Sequence, residues 1–244
     1  MTRVGELPPL AQTLQEESAP STIEKVARET FAEITLSFTL AGFCTLFAVP
    51  GSVPILFGEA TIQCIVNLAL RIFKPSRTDW LSPTLFHLGS LHNVQVIGHE
   101  AGHVLALHAL LKNPQPQVRL IPFFGGSTSF RVKEATALGQ WIGKDWIMPL
   151  VSAAGPLLSL SLSTLGLLFG LSHLKSYPDT SRCLIVASLV DFLIHTLYAF
   201  SALWIDPTNF ANDFVALWSV GIHPLVPIFL MVAVPILILK SYWN

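Results

Sequence analysis

Two histidines and a glutamate lie within about one helical turn in the otherwise apolar stretch VIGHEAGHVLALHALL. His99 and His103 are four residues apart, so on a helix both imidazoles lie on one face, with Glu100 beside them. This spacing predicts that the imidazoles bind one divalent cation and that the carboxylate acts as a base toward water. Gly98 and Gly102 are also four apart, a spacing that lets a neighbouring helix or a hairpin approach closely.

The motif lies in a chain whose composition is typical of an integral membrane protein. Of its 244 residues, 52% are hydrophobic and only 12% are charged, and the mean hydropathy is +0.59. Soluble domains average about 25% charged residues. Six apolar segments have lengths that suit helices crossing a bilayer, although the second is the least suited. They are residues 34–49, 53–72, 94–111, 147–171, 183–204 and 224–239.

The membrane setting strengthens the prediction of a metal site. An unpaired glutamate at mid-membrane depth costs about 3 kcal/mol or more, and a divalent cation nearby offsets that cost. Catalytic zinc usually keeps three protein ligands and one position open for water, so the two histidines need a third ligand. Three acidic residues lie downstream at suitable positions, and the spacing alone leaves all of them open: Asp191, Asp206 and Asp213.

A glycine-containing segment between the third and fourth apolar segments predicts a β-hairpin. Residues 118–124 and 127–132 are apolar, β-branched runs, and Gly125-Gly126 between them is typical of a tight turn. Pro122 cannot donate a ladder hydrogen bond, so the first run is expected to be an edge strand. Such an edge can pair with an extended peptide. The alternative is a hairpin that merely covers the bundle.

Three motifs occur in a distinctive order along the chain. GHEAGH in an apolar helix is followed by PFFGGSTSF in the hairpin and then by SAAGPLLSL, which opens a further apolar helix. This order, over about residues 94–224, resembles the site-2 protease family of intramembrane zinc metalloproteases. We therefore expect an all-α polytopic membrane protein with about six transmembrane helices and a small β-hairpin inserted after the HExxH helix.

The resemblance implies one zinc ion per chain, held by His99, His103 and an aspartate from a later helix, with Glu100 as the general base. The common family form of that aspartate is followed by glycine, and this chain contains no Asp-Gly. Its segment NDFVALWSVGIHP is similar to a variant ending, which favours Asp213 as the third ligand. Asp191 stays an alternative because its distance from the motif is also normal for the family.

Other residues receive predicted roles near the site. Ser159 occupies the position where the family often has an asparagine that is thought to help at the active site. Asn212 and Ser152 are candidates for lining the route of water, with helix capping or packing as the alternative for both. The predicted substrate-binding residues belong to the first hairpin run: Val118, Leu120, Phe123 and Phe124.

Together these predictions describe a function and a location. We expect residues 1–30 to form a polar N-terminal segment and residues 31–244 to form a membrane-embedded zinc endopeptidase. Its expected partners are a transmembrane protein substrate and the lipid bilayer. A net charge of −1 gives no indication of nucleic-acid binding. The expected location is multi-pass in a membrane, with the bacterial inner membrane favoured. Two alternatives are an inactive pseudoprotease that binds membrane partners and a transporter whose polar residues line a path.

Overall fold

The structure, a computed structural model, describes residues 22–48, 50–73, 81–122, 125–131, 134–176, 178–206 and 212–243. Most of these residues are helical. The helices are α1 (Thr22–Thr45), α2 (Val53–Phe73), α3 (Leu81–Leu110), α4 (Ala137–Ile142), α5 (Lys144–His173), α6 (Pro178–Ser201), α7 (Asp213–Trp218) and α8 (Leu225–Trp243). Strands β1 (Gln117–Ile121) and β2 (Gly125–Ser129) follow α3. Of the predicted polar segment, residues 1–30, the first 21 residues lie outside the described part of the chain.

Within the described residues, three helices are long and apolar enough to cross a membrane. They lie at Lys144–His173, Thr180–Trp204 and Leu225–Trp243. All six predicted apolar segments fold largely as helix, but the apolar parts of α1 and α2 are shorter, at Ile34–Thr45 and Val53–Val66. The third segment forms the second half of α3, where polar residues interrupt the apolar run. The prediction of six spanning helices is therefore not confirmed, whereas a mostly helical structure with three helices that could cross a membrane is.

Large apolar side chains lie on the outside of the structure, and many polar ones lie inside it. In α8, Phe229 is 70% exposed and Leu237 is 63% exposed. Several titratable or amide-bearing side chains are instead buried: Gln63, Asn93, Glu100, His103, Asp191, His195 and Asn212. Extended apolar surfaces mark contact with a membrane or with partner proteins. This distribution is typical of a membrane protein that encloses a polar site.

Helix α3 packs closely against α5 because of its two glycines. A Cβ atom at Gly102 would lie 2.7 Å from the carbonyl carbon of Ala154 and 2.9 Å from the Cα of Gly155. A Cβ atom at Gly98 would lie 2.8 Å from a methyl group of Leu162. The predicted close approach at this face is thus confirmed, and the partner is a helix. It brings the α5 backbone beside the motif histidines.

The hairpin is confirmed, but its turn was predicted at the wrong residues. Gly125 and Gly126 lie inside β2, where they pair with Ile121 and Leu120, so they do not form the turn. The physical reason is that the strand itself needs glycine at both positions, one for its backbone conformation and one for the close approach of Glu100. Gly125 has a φ of 131°, which residues with a side chain rarely adopt, and a Cβ at Gly126 would lie 2.7 Å from an oxygen of Glu100.

The outer edge of β1, predicted to be open, is partly occupied by the connection between α1 and α2. The Leu120 N–H donates to the Phe47 carbonyl at 2.8 Å, and Ala48 forms a parallel bridge with Leu120. The Leu120 side chain is only 1% exposed and belongs to a cluster with Ala41, Cys44, Leu56, Ala60 and Ile97. Strand β1 is therefore anchored to the first two helices at this point.

Candidate metal centre

The side chains of His99, His103 and Asp213 form a possible metal site. The three potential ligand atoms all lie within 4.8 Å of one another. His99 Nε2 lies 3.1 Å and His103 Nε2 lies 3.6 Å from Asp213 Oδ2. Two imidazole nitrogens and one carboxylate oxygen are donors that divalent transition metals accept. The three predicted ligands therefore converge, although they come from helices far apart in the sequence.

The orientation of His103 suits a metal ligand. Its Nδ1 donates to the Val151 carbonyl at 2.7 Å, and a carbonyl only accepts, so Nδ1 carries a proton and Nε2 faces Asp213. Burial raises the pKa of the Asp213 carboxyl, but the contacts with His103 and His99 outweigh burial and hold that pKa below its usual value. An unprotonated Nε2 and a carboxylate oxygen both act as acceptors, so together they can hold either a proton or a divalent metal ion between them.

Gly155, from the SAAGP motif, leaves space for the ligand atoms. A Cβ atom at this position would lie 2.9 Å from His99 Nε2 and closer still to His103 Nε2. Any larger residue would therefore displace the imidazoles from their positions. The motif contributes to the site through the absence of a side chain, directly beside the predicted ligands.

Asn212 caps helix α7 and so positions Asp213, the first residue of that helix. The Asn212 Oδ1 accepts hydrogen bonds from the first turn, including one from the Phe214 N–H at 2.9 Å. The Asn212 Nδ2 donates to the Tyr198 carbonyl at 3.3 Å and to Ser201 Oγ at 3.1 Å. The Asp213 N–H in turn donates to the Tyr198 hydroxyl at 3.2 Å. These bonds tie the start of α7 to the end of α6.

Glu100 lies beneath the β-hairpin. Its side chain is buried, and Oε2 accepts a hydrogen bond from Thr128 Oγ1 at 2.5 Å. The missing Cβ of Gly126 lets the β2 backbone approach the other carboxylate oxygen. Strand β2 therefore holds the carboxylate on the same face of α3 as the two histidines.

The site opens onto a cavity of about 730 Å³. Its walls include the three potential ligands, Glu100 and residues 125–128 of β2. Catalytic zinc sites use three protein ligands and keep one position for water or substrate. The donor set, the space left by Gly155 and the adjoining cavity fit a divalent metal of this kind.

The remaining polar residues predicted near the site have other contacts. Asp191 lies outside the group of three and accepts hydrogen bonds from Ser163 at 2.7 Å and from Ser159 at 3.1 Å. Ser159 therefore contacts Asp191 rather than the ligand atoms. The polar atoms of Asn212 cap α7 and tie it to α6, so the capping alternative holds for this residue. Ser152 lines the cavity.

The predicted substrate-binding residues of the first strand are only partly available. Leu120 is a correction, because its side chain is buried in the core and its N–H is bonded to Phe47. Val118 is partly buried in β1. Phe123 and Phe124 lie outside the described residues.

Sequence reasoning gave no role to three residues that adjoin the site. Thr128 donates to Glu100, Tyr198 binds the backbone of Asp213, and His195 Nε2 lies 3.1 Å from His99 Nδ1. A usable signal existed only for His195, which follows Asp191 by four residues on an apolar helix.

The chain matches no protein-family model, no curated protein and no solved structure.

Proposed function

We propose that this protein is a multi-pass intramembrane zinc metalloprotease of the site-2 protease type. The observation that carries the proposal is the convergence of His99, His103 and Asp213 next to Glu100, beside a cavity within a bundle whose outer faces are apolar. Titratable groups inside an apolar bundle are costly and usually functional. Zinc fits best among divalent metals because two imidazoles, one carboxylate and an open position are typical of catalytic zinc.

Zinc bound to these residues would supply a Lewis acid that polarises the scissile carbonyl and makes water acidic enough to attack near neutral pH. In the proposed reaction Glu100 accepts a proton from the attacking water and later passes it to the leaving amine. The hydrogen bond from Thr128 holds one carboxylate oxygen, which leaves the other oxygen for this proton transfer. Glu100 is buried and lines the cavity from which the attacking water would come.

The edge of β2 is the better candidate for pairing with an extended substrate. Because the Leu120 N–H points away from β2 to Phe47, the opposed Leu120–Gly126 pair is not hydrogen-bonded between the strands. Such pairs alternate along an antiparallel ladder, so Gly126 and Thr128 direct their N–H and C=O groups outward from β2. Both residues also line the cavity beside Glu100. A transmembrane substrate that unwinds and pairs here would bring its peptide bonds to the site.

The proposal is tested by co-expressing the full chain with a transmembrane test substrate and measuring cleavage for wild type and Glu100→Gln. Loss of the general base is expected to lower the rate of cleavage by about 100-fold or more, while bound metal is retained. The matched control is Glu134→Gln, since Glu134 is exposed, pairs with Lys112 and does not line the cavity. Equal cleavage by wild type and Glu100→Gln would contradict the proposed role of Glu100.

A non-proteolytic protein that binds membrane partners is the competing function. It predicts a metal-loaded wild type that cleaves none of a panel of membrane-spanning substrates. Metal loading with no cleavage in that panel would overturn the protease proposal and favour the competing function.

A further inference from the structure

His99 has a second imidazole directly behind it. His195 Nε2 lies 3.1 Å from His99 Nδ1, and the two ring centroids are 5.3 Å apart. His195 is 6% exposed and lies on α6, a different helix from the motif. A buried imidazole pair of this kind requires that one nitrogen donates and the other accepts.

The far side of His195 determines which nitrogen donates. His195 Nδ1 lies 3.0 Å from the backbone carbonyl of Asp191 and 3.3 Å from its carboxylate oxygen Oδ1. Both partners only accept, so Nδ1 carries the proton. In neutral His195 the Nε2 atom is then an acceptor, and the proton shared with His99 belongs to His99 Nδ1. His99 Nε2 is left without a proton, facing Asp213 and His103.

The Asp191 side chain is itself held on several sides. Ser163 and Ser159 both donate to its carboxylate, and the Gln95 side chain donates to Ser163 Oγ at 3.3 Å. Asp191 is 2% exposed. The result is a buried chain of hydrogen bonds that starts at the serines of α5, passes through Asp191 and His195, and ends at His99.

We propose that His195 is a positioning residue which fixes the tautomer and ring orientation of the metal ligand His99, with Asp191 anchoring His195. The proposal rests on the metal centre proposed above. The tautomer of His103 is fixed by the Val151 carbonyl instead, so a side chain orients one ligand and the backbone orients the other. Groups that orient a ligand from behind commonly contribute 10- to 100-fold to metal affinity. The buried carboxylate of Asp191 thereby has a role without contacting the metal.

The proposal predicts how zinc affinity responds to changes at His195, measured by competition with a chelator on the purified full chain. His195→Leu removes the acceptor and is expected to weaken zinc binding by about 10- to 100-fold. His195→Gln can present an amide oxygen to His99 Nδ1 and is expected to stay within about threefold of wild type. His92→Leu is the matched control, since His92 lines the same cavity and its Nδ1 has no hydrogen-bond partner in the described part of the chain. Wild-type affinity in His195→Leu, or equal loss in His195→Gln, would overturn the proposal.

A second measurement reads the protonated ring nitrogen of His195 in the wild type itself, and a variant serves only to assign its signals. Nitrogen NMR of histidine-labelled wild type reports which ring nitrogen carries the proton, and the spectrum of His195→Gln assigns the His195 signals by their absence. His195 protonated on Nδ1 is expected. Protonation on Nε2 alone would overturn the proposal.

Failure of this inference and failure of the protease function give different results. A wild type that binds zinc but cleaves nothing removes the protease proposal and leaves the role of His195 intact. A wild type that cleaves, paired with unchanged zinc affinity in His195→Leu, removes only the role of His195.

Discussion

Gly155→Ala adds a single methyl group at the point where α5 faces both histidine ligands. The new Cβ would lie 2.9 Å from His99 Nε2, whereas ordinary van der Waals contact begins at 3.4 Å. His99 Nε2 must therefore move by about half an ångström, and His103 Nε2 by more. A retreat of the α5 backbone would open the close packing of Ala154 and Gly155 on Gly102.

The size of the effect follows from two opposing contributions to stability and from the geometry of the metal. Overpacking a dense interior costs about 1–3 kcal/mol, and alanine favours a helix over glycine by about 1 kcal/mol. The expected net loss of folding stability is therefore at most about 2 kcal/mol. Zinc–nitrogen bonds tolerate a deviation of about 0.2 Å, which is less than the required movement. We expect zinc affinity to fall by about 100-fold or more, or roughly 2.8 kcal/mol.

The assay is zinc affinity by chelator competition, with thermal unfolding of the same samples as a check on stability. Gly166→Ala is the control variant, because Gly166 lies on the same helix as Gly155 but away from the site, and its Cβ would lie 2.7 Å from Ser188 Oγ of α6. It should share the packing cost and keep wild-type affinity. Wild-type zinc affinity in Gly155→Ala would refute the account of the space around the ligands.

Two further predictions concern the elements that place the ligands and the substrate. Asn212→Ala removes the cap of α7 and is expected to lower the free energy of unfolding by about 0.5–2 kcal/mol and to weaken zinc binding, whereas Asn212→Asp keeps a capping oxygen. Chemical denaturation measures the stability of both variants, and unchanged stability in the alanine variant would count against the capping role. A photo-reactive amino acid placed at Ser127 in β2 is expected to crosslink a bound substrate more strongly than one at the directly opposed Arg119 in β1. Stronger crosslinking from position 119 would show that the substrate uses the other edge.

The sequence predicted which side chains converge at the possible metal site because its strongest signals are local. The spacing of His99 and His103 needs only a helix to bring both imidazoles together, and the glycines of α3 need only a close neighbour. The six apolar segments were likewise identified as helical. Asp213 was favoured over Asp191 only through a likeness to a variant ending of a known family, since either residue has a plausible spacing. The structure separates the two by placing Asp191 behind His195.

Other features depend on contacts between distant segments, which periodicity does not reveal. Glycine pairs are common in turns, so Gly125-Gly126 indicated a turn, whereas the close approach of Glu100 places Gly126 inside β2. Leu120 looked like part of a free edge because nothing in the local sequence indicates the bond to Phe47. Local hydropathy also does not give the number of spanning helices, because polar residues that line an interior lower the hydropathy of a helix that carries a site.

The central claim is that His99, His103 and Asp213 bind one divalent metal ion, and metal stoichiometry tests it most directly. Purified, folded wild type is expected to contain about one zinc ion per chain by elemental analysis. Asp213→Ala, which removes one of the three ligands, is expected to contain almost none after the same purification. Stoichiometric zinc in Asp213→Ala, or folded wild type that neither contains nor takes up a divalent metal, would contradict the claim.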